Sequence, residues 1–182
     1  ESGAILQYLA RKTGQFYGKT ERDRIAVDQW LMWQMGGLGP MAGQAHHFLK
    51  YAPAMDPPND LPYAKDRYRN ETARLYGVLD RQMANHEYVA GDLDSIADMA
   101  IWPWYGALVA NKVYDAAEFL EAHTYTNVVR GMEEIAHRPA VRRGRMVNRT
   151  WGEPEEQLHE RHDASDFEEK TQDKLAAILG HS

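Results

Sequence analysis

Cysteine is absent from the 182 residues, so the chain holds no disulfide framework, no thiolate zinc site and no cysteine nucleophile. Any thiol chemistry has to arrive with a ligand. Long apolar runs are also missing, which excludes a membrane-spanning helix. The first residues lack the basic and apolar regions of a signal peptide, so a cytoplasmic location is the default expectation. Positive charge is in deficit: the formal charge of −6 argues against nucleic-acid or anionic-membrane partners. The local exception, Arg138, Arg142, Arg143, Arg145 and Arg149, reads as a solvated helix face because no aromatic stacking residues interleave with it. Strand-like alternation and hairpin turns are lacking as well. What remains is helical periodicity in a chain with 43% hydrophobic residues, enough for a substantial core. The expectation is an all-α domain.

The first helix begins at the start of the chain, carries Ile5, Leu6 and Leu9 toward a core and stops at Gly14, with Arg11 and Lys12 suiting its C-terminal dipole. A second is announced by Thr20 and Asp23, a variant of the capping box, and runs through Val27, Trp30, Leu31 and Gln34. Gly36, Gly37, Gly39 and Pro40 follow, and should break or kink it, since an interior Gly costs about 1 kcal/mol and Pro about 3. Pro62 suits the first position of a long third helix with Tyr68, Leu75, Val78, Leu79 and Met83 as its apolar stripe. A fourth starts at Ser95 with Asp98 three residues on and is apolar nearly all round, as a buried central helix would be. A fifth carries Val128, Met132 and Ile135 up to Pro139, and from Trp151 the composition turns polar.

Glu1-Ser2 at a helix N-terminus suits both charges of an amino-acid zwitterion. The carboxylate pairs with an ammonium group, while the hydroxyl and the free N–H groups of the first turn take a carboxylate. In isolation the same pair reads as an ordinary N-cap and first turn.

Three stretches together carry a resemblance: Trp-Gln-Met-Gly-Gly-Leu-Gly-Pro-Met-Ala-Gly-Gln at 33–44, Ser-Ile-Ala-Asp-Met-Ala-Ile-Trp-Pro-Trp at 95–104, and Gln-Leu-His-Glu-Arg-His-Asp-Ala-Ser-Asp-Phe at 157–167. They resemble the glutathione transferases, and more narrowly the nu-class, disulfide-bond oxidoreductase branch. The resemblance implies a helical bundle like the transferase C-terminal domain over residues 15–150. Residues 1–14 then form the last helix of a thioredoxin-like α/β domain otherwise absent from the chain, and 151–182 a polar extension packing over the domain or cleft. It assigns the γ-glutamyl group of glutathione, the co-substrate, to Glu1 and Ser2. It also places Arg67, in its Pro-Tyr-Ala-x-x-Arg-Tyr setting, at a peptide carboxylate, for which a guanidinium fork is suited. The other reading of Arg67 is a surface residue paired with Glu71. No catalytic residue carries over, because the groups that touch the glutathione sulfur lie in the thioredoxin-like domain.

Gln34, Gln44, His46 and His47 are further candidates for the cleft, or else packing residues beside tightly packed glycines. His159 and His162 have helical spacing but no defined third ligand, which favours a polar tail over a metal site. Trp30, Trp33, Trp102 and Trp104 read as core, with Trp33 a candidate for the cleft. The implied activity is thiol–disulfide exchange between glutathione and a small disulfide, or conjugation to an electrophile, in a homodimer. A non-catalytic transferase-like binding module is the rival reading.

Overall fold

The computed structural model describes residues 1–109, 120–147 and 153, and among them helix is the only extended secondary structure. Contacts divide the chain into two compact units, residues 1–132 and 133–182. The polar extension from 151, with His159 and His162, lies outside the described residues apart from Glu153.

Helix α1 spans Ser2–Thr13 and ends at Gly14 in the left-handed conformation, φ 69°, where the Gly14 N–H donates to the Ala10 carbonyl. Its buried residues are Gly3 and Ala10, not the predicted Ile5 and Leu9, which are 57% and 46% exposed. The small residues let the helix lie close against its neighbours: a Cβ on Gly3 would sit 3.0 Å from the Met35 methyl. A polar cluster fixes the rest of α1. Asp28 accepts from the Tyr17 hydroxyl at 2.7 Å and from Gln7 Nε2 at 2.8 Å, joining α1 to the next helix. Burial, and then the neighbouring Asp28 carboxylate, push the Tyr17 phenol up.

Helix α2, Glu21–Trp33, opens on the predicted capping box: the Asp23 N–H donates to Thr20 Oγ1 at 3.2 Å and the Thr20 N–H returns to Asp23 Oδ2 at 2.8 Å. The glycine-proline segment does not break it. The chain stays in the right-handed helical region through a π turn at Gln34–Leu38 into α3, Gly39–His46, and then through a second π turn at His47–Tyr51. Widening explains the continuity. The Gly39 N–H reaches back five residues to the Gln34 carbonyl, and Pro40, which has no N–H to give, falls in the first turn of the reset helix.

Helix α4, Pro62–Met83, has Pro at its first position as expected and buries Thr72, Leu75, Tyr76, Leu79 and Met83. Helix α5, Ile96–Val109, is the central one: Ile96, Ala97, Ile101, Tyr105 and Leu108 are buried. Its burial is one-sided at one place, since Pro103 and Trp104 are exposed. Helices α6, Thr126–Ala136, and α7, Pro139–Met146, follow. Asp80 of α4 caps α6, accepting from the Asn127 N–H at 2.9 Å and the Val128 N–H at 3.2 Å. Arg130 answers by donating to the Met83 carbonyl at the end of α4 and to the His86 carbonyl just beyond it.

Candidate functional site

Glu1, not Ser2, occupies the N-cap position of α1, and its side chain makes no capping hydrogen bond. The first ladder bond runs from the Ile5 N–H to the Glu1 carbonyl at 3.2 Å. The N–H groups ahead of it are the ones a helix leaves for an outside acceptor. Both Glu1 and Ser2 are exposed, and the Ser2 hydroxyl points to Met35 Sδ at 4.0 Å, a weak contact that leaves it available. The arrangement is an open helix N-terminus with a carboxylate and a hydroxyl beside it, suited to an anion carrying an adjacent cation.

Ser2 also lines a cavity of about 460 Å³ with Leu6 of α1, Gln34 of the first π turn, and Met99, Pro103 and Trp104 of α5. The lining is apolar apart from Ser2 and Gln34. Trp104, read from sequence as core, is the tryptophan at this cavity, whereas Trp33 packs edge to face on Trp30 with ring centroids 5.1 Å apart.

Arg67 stands elsewhere. It is exposed and lines a second cleft of about 690 Å³ with Met41 of α3 and Tyr63, Asp66 and Glu71 of α4. The pairing of Arg67 with Glu71 that the sequence allowed is not the one formed. Glu71 is held by Arg74, which donates from Nε at 2.8 Å and from a terminal nitrogen at 2.7 Å. The Arg74 hydrogen bond holds the Glu71 carboxyl below its usual range, and Arg67 adds a smaller coulombic pull. Arg67 thus keeps its guanidinium out of any ion pair among the described residues. The three residues predicted to contact one ligand are therefore distributed: Glu1 and Ser2 at the start of α1, Arg67 in a separate cleft.

Of the other candidates, Gln34 is buried, Gln44 is exposed, and His46 stacks on Tyr51 with centroids 4.8 Å apart. Burial, helped by Lys50, pushes the His46 imidazole down. His47 meets Phe48 edge to face at 5.0 Å, and Phe48 stacks on Tyr68 at 5.3 Å.

No protein-family model matches the chain. It is 52% identical over 174 residues to the disulfide-bond oxidoreductase YghU of Escherichia coli (strain K12), a match covering 96% of this chain and 59% of that protein. The solved structure of glutathione transferase YghU from Streptococcus pneumoniae ATCC 700669, complexed with glutathione, matches at a TM-score of 0.76 and 42% identity, covering 82% of this chain and 56% of that one. The chain belongs to the glutathione transferase family. A second family member, from Pseudomonas fluorescens pf-5 with two glutathione bound, matches at 0.73 and 41%, covering 79% and 61%. The chain spans about three fifths of the length of the curated relatives it matches.

Proposed function

We propose that this chain is the helical part of a glutathione-dependent disulfide reductase or transferase of the nu class, acting on small disulfides or electrophiles in the cytoplasm as a symmetric homodimer. Residues 1–14 serve as the last helix of a thioredoxin-like domain, 15–150 as the helical domain, and 151–182 as an extension over it. The observation that carries the reading is the open N-terminus of α1. Glu1 takes the ammonium of the γ-glutamyl group, while Ser2 and the first-turn N–H groups take its carboxylate. Arg67, at its own cleft, takes a peptide carboxylate with its guanidinium fork.

The reduction needs no protein thiol. One glutathione thiolate attacks a sulfur of the disulfide, forming a mixed disulfide and expelling the first product thiolate. A second glutathione thiolate attacks the glutathione sulfur of that intermediate, forming glutathione disulfide and expelling the second product. A relative holding two glutathione molecules supports this stoichiometry. The groups that ionise the thiol belong to the thioredoxin-like domain, so the helical part alone should bind glutathione feebly and reduce nothing.

Calorimetric titration of the chain joined behind a thioredoxin-like domain tests the reading. Glu1→Ala should weaken glutathione binding by about 1.5–3 kcal/mol, the range for hydrogen bonds to charged groups. Unchanged affinity, or no glutathione binding in the parent, would favour the non-catalytic module. Light scattering of the same protein at micromolar concentration should give a dimer, and a monomer would remove that part of the proposal.

A further inference from the structure

Helix α1 is tied to its neighbours at points spaced along its length. Near its N-terminus Gly3 lies against the Met35 methyl of the π turn. Halfway along, Gln7 Nε2 donates to Asp28 Oδ1 of α2 at 2.8 Å. Beyond Gly14 the chain folds back so that buried Tyr17 reaches the same carboxylate, its hydroxyl 2.7 Å from Asp28 Oδ1 and 2.8 Å from Oδ2. The Arg11 guanidinium lies over the Tyr17 ring, 5.9 Å from its centroid. This connection is wound rather than slack. Phe16 takes φ 62°, a costly conformation for a residue with a Cβ, and its carbonyl accepts the Ile96 N–H at 2.9 Å, which fastens the connection to the start of α5. Gly18 follows at φ 78°, where a Cβ would collide with that of Asp23. Backbone strain persists only where the surroundings over-determine it.

We infer that Gln7, Tyr17 and Asp28 form a latch that sets the position of Glu1 and Ser2, which makes them positioning residues for glutathione and not contacts to it. The inference rests on the role proposed above for Glu1 and Ser2. A helix is stiff, so a shift at one end is delivered at the other. Gln7 and Ser2 stand about 7.5 Å apart along the axis at 1.5 Å per residue, and a tilt of roughly 10° about Gln7 carries Ser2 about 1 Å sideways. Directed hydrogen bonds to a ligand tolerate little of that. Packing alone resists such a tilt poorly, because the buried residues of α1, Gly3 and Ala10, present at most a methyl group. The latch supplies direction, since hydrogen bonds to an ionised carboxylate are the stronger and more oriented kind.

Two measurements test the latch. In the chain itself Tyr17→Phe, which keeps the ring and removes the hydroxyl, should speed amide hydrogen exchange in α1 by about fivefold while exchange in α5 stays unchanged. In the protein carrying a thioredoxin-like domain, the same substitution should raise the Kd for glutathione by about fivefold, the equivalent of one hydrogen bond. Asp28→Ala should do likewise and serves if Tyr17→Phe does not fold. Asp28→Asn keeps an oxygen where both Gln7 and Tyr17 meet Oδ1, and should stay within about twofold of the parent. Because the latch acts through Glu1, the losses should not add: in a Glu1→Ala background Tyr17→Phe should cost about twofold or less. A full additional loss in that background would assign the effect to general loosening and overturn the inference. Unchanged exchange in α1 would overturn it too. Glutathione binding that responds to Glu1→Ala but to neither latch substitution would strike the latch alone, whereas a parent that binds no glutathione would strike the reading beneath it as well.

Discussion

Two helices of this chain begin in opposite ways. At the start of α5 the Ser95, Ile96 and Ala97 N–H groups and the Ser95 hydroxyl all have acceptors. The Ser95 N–H and hydroxyl both donate to Asp98 Oδ2, at 3.0 and 2.8 Å, and the Ala97 N–H donates to Ser95 Oγ at 3.2 Å. The Ile96 N–H reaches across to the Phe16 carbonyl at 2.9 Å, and even the Val89 N–H is drawn in, to Asp98 Oδ1 at 2.8 Å. Ser95 and Asp98 are buried. At the start of α1 a carboxylate and a hydroxyl are adjacent in sequence, yet Glu1 caps nothing and both residues are exposed. The same residue chemistry thus serves structure in one place and is left available in the other. A closed cap spends its hydrogen bonds on the fold, whereas an open one keeps them for something that arrives later.

The contrast breaks most visibly at Asp98. Replacing it with Ala would leave the Ser95 and Val89 N–H groups buried without partners and should destabilise the chain by about 1–3 kcal/mol, read from denaturant unfolding. A change within error of zero would deny the cap its role. The same residue sets a pH dependence. Burial pushes the Asp98 carboxyl above its usual range, and the hydrogen bonds from Val89 and Ser95 pull it back only in part. A raised folded value means that the stabilising contribution is full below the unfolded value of about 3.9 and is lost as pH rises through the folded one. The stability gap between parent and Asp98→Ala should therefore narrow as pH climbs from about 4. A gap that widened instead would show that the hydrogen bonds outweigh the desolvation.

The cap at α5 was legible in sequence because Ser-x-x-Asp ahead of an apolar run is a local pattern with one geometric solution. The same holds for Thr20 with Asp23 and for Pro62 opening α4. What could not be read locally depended on partners distant in the chain. Gly36 to Pro40 looked like a helix break because propensity charges each residue separately, whereas the structure absorbs them together in one widened turn. Ile5 and Leu9 looked like core because they recur at helical spacing, but α1 meets its neighbours through Gly3 and Ala10. The cavity at Gln34 was half visible. Gln34 was among the named candidates, while Met99, Pro103 and Trp104 were hidden inside a helix that reads as apolar on every side. Met99 and Pro103, four residues apart, share a face with Trp104 to one side of it, and only the packing reveals that the three meet a cavity.

A smaller effect is expected at the start of α2. Thr20→Ala removes the acceptor of the Asp23 N–H and should cost about 1 kcal/mol, the usual magnitude for such a cap. Asp23 would still accept from the Thr20 and Lys19 backbone N–H groups, so the loss should be partial. A cost as large as that of Asp98→Ala would erase the distinction between an exposed box and a buried one.

The smallest effect is expected where the cap is open. Ser2→Ala removes a hydroxyl whose contact is Met35 Sδ at 4.0 Å and which is exposed, so unfolding free energy should change by less than about 0.5 kcal/mol, as for surface substitutions that break no named interaction. Alanine is also a good residue for a first helical turn, which works against any loss. If Ser2 is kept for a ligand, the same substitution should weaken glutathione binding in the protein carrying a thioredoxin-like domain while leaving its melting temperature in place. A melting temperature that fell without any change in glutathione affinity would assign Ser2 to the fold and make the two helix starts alike.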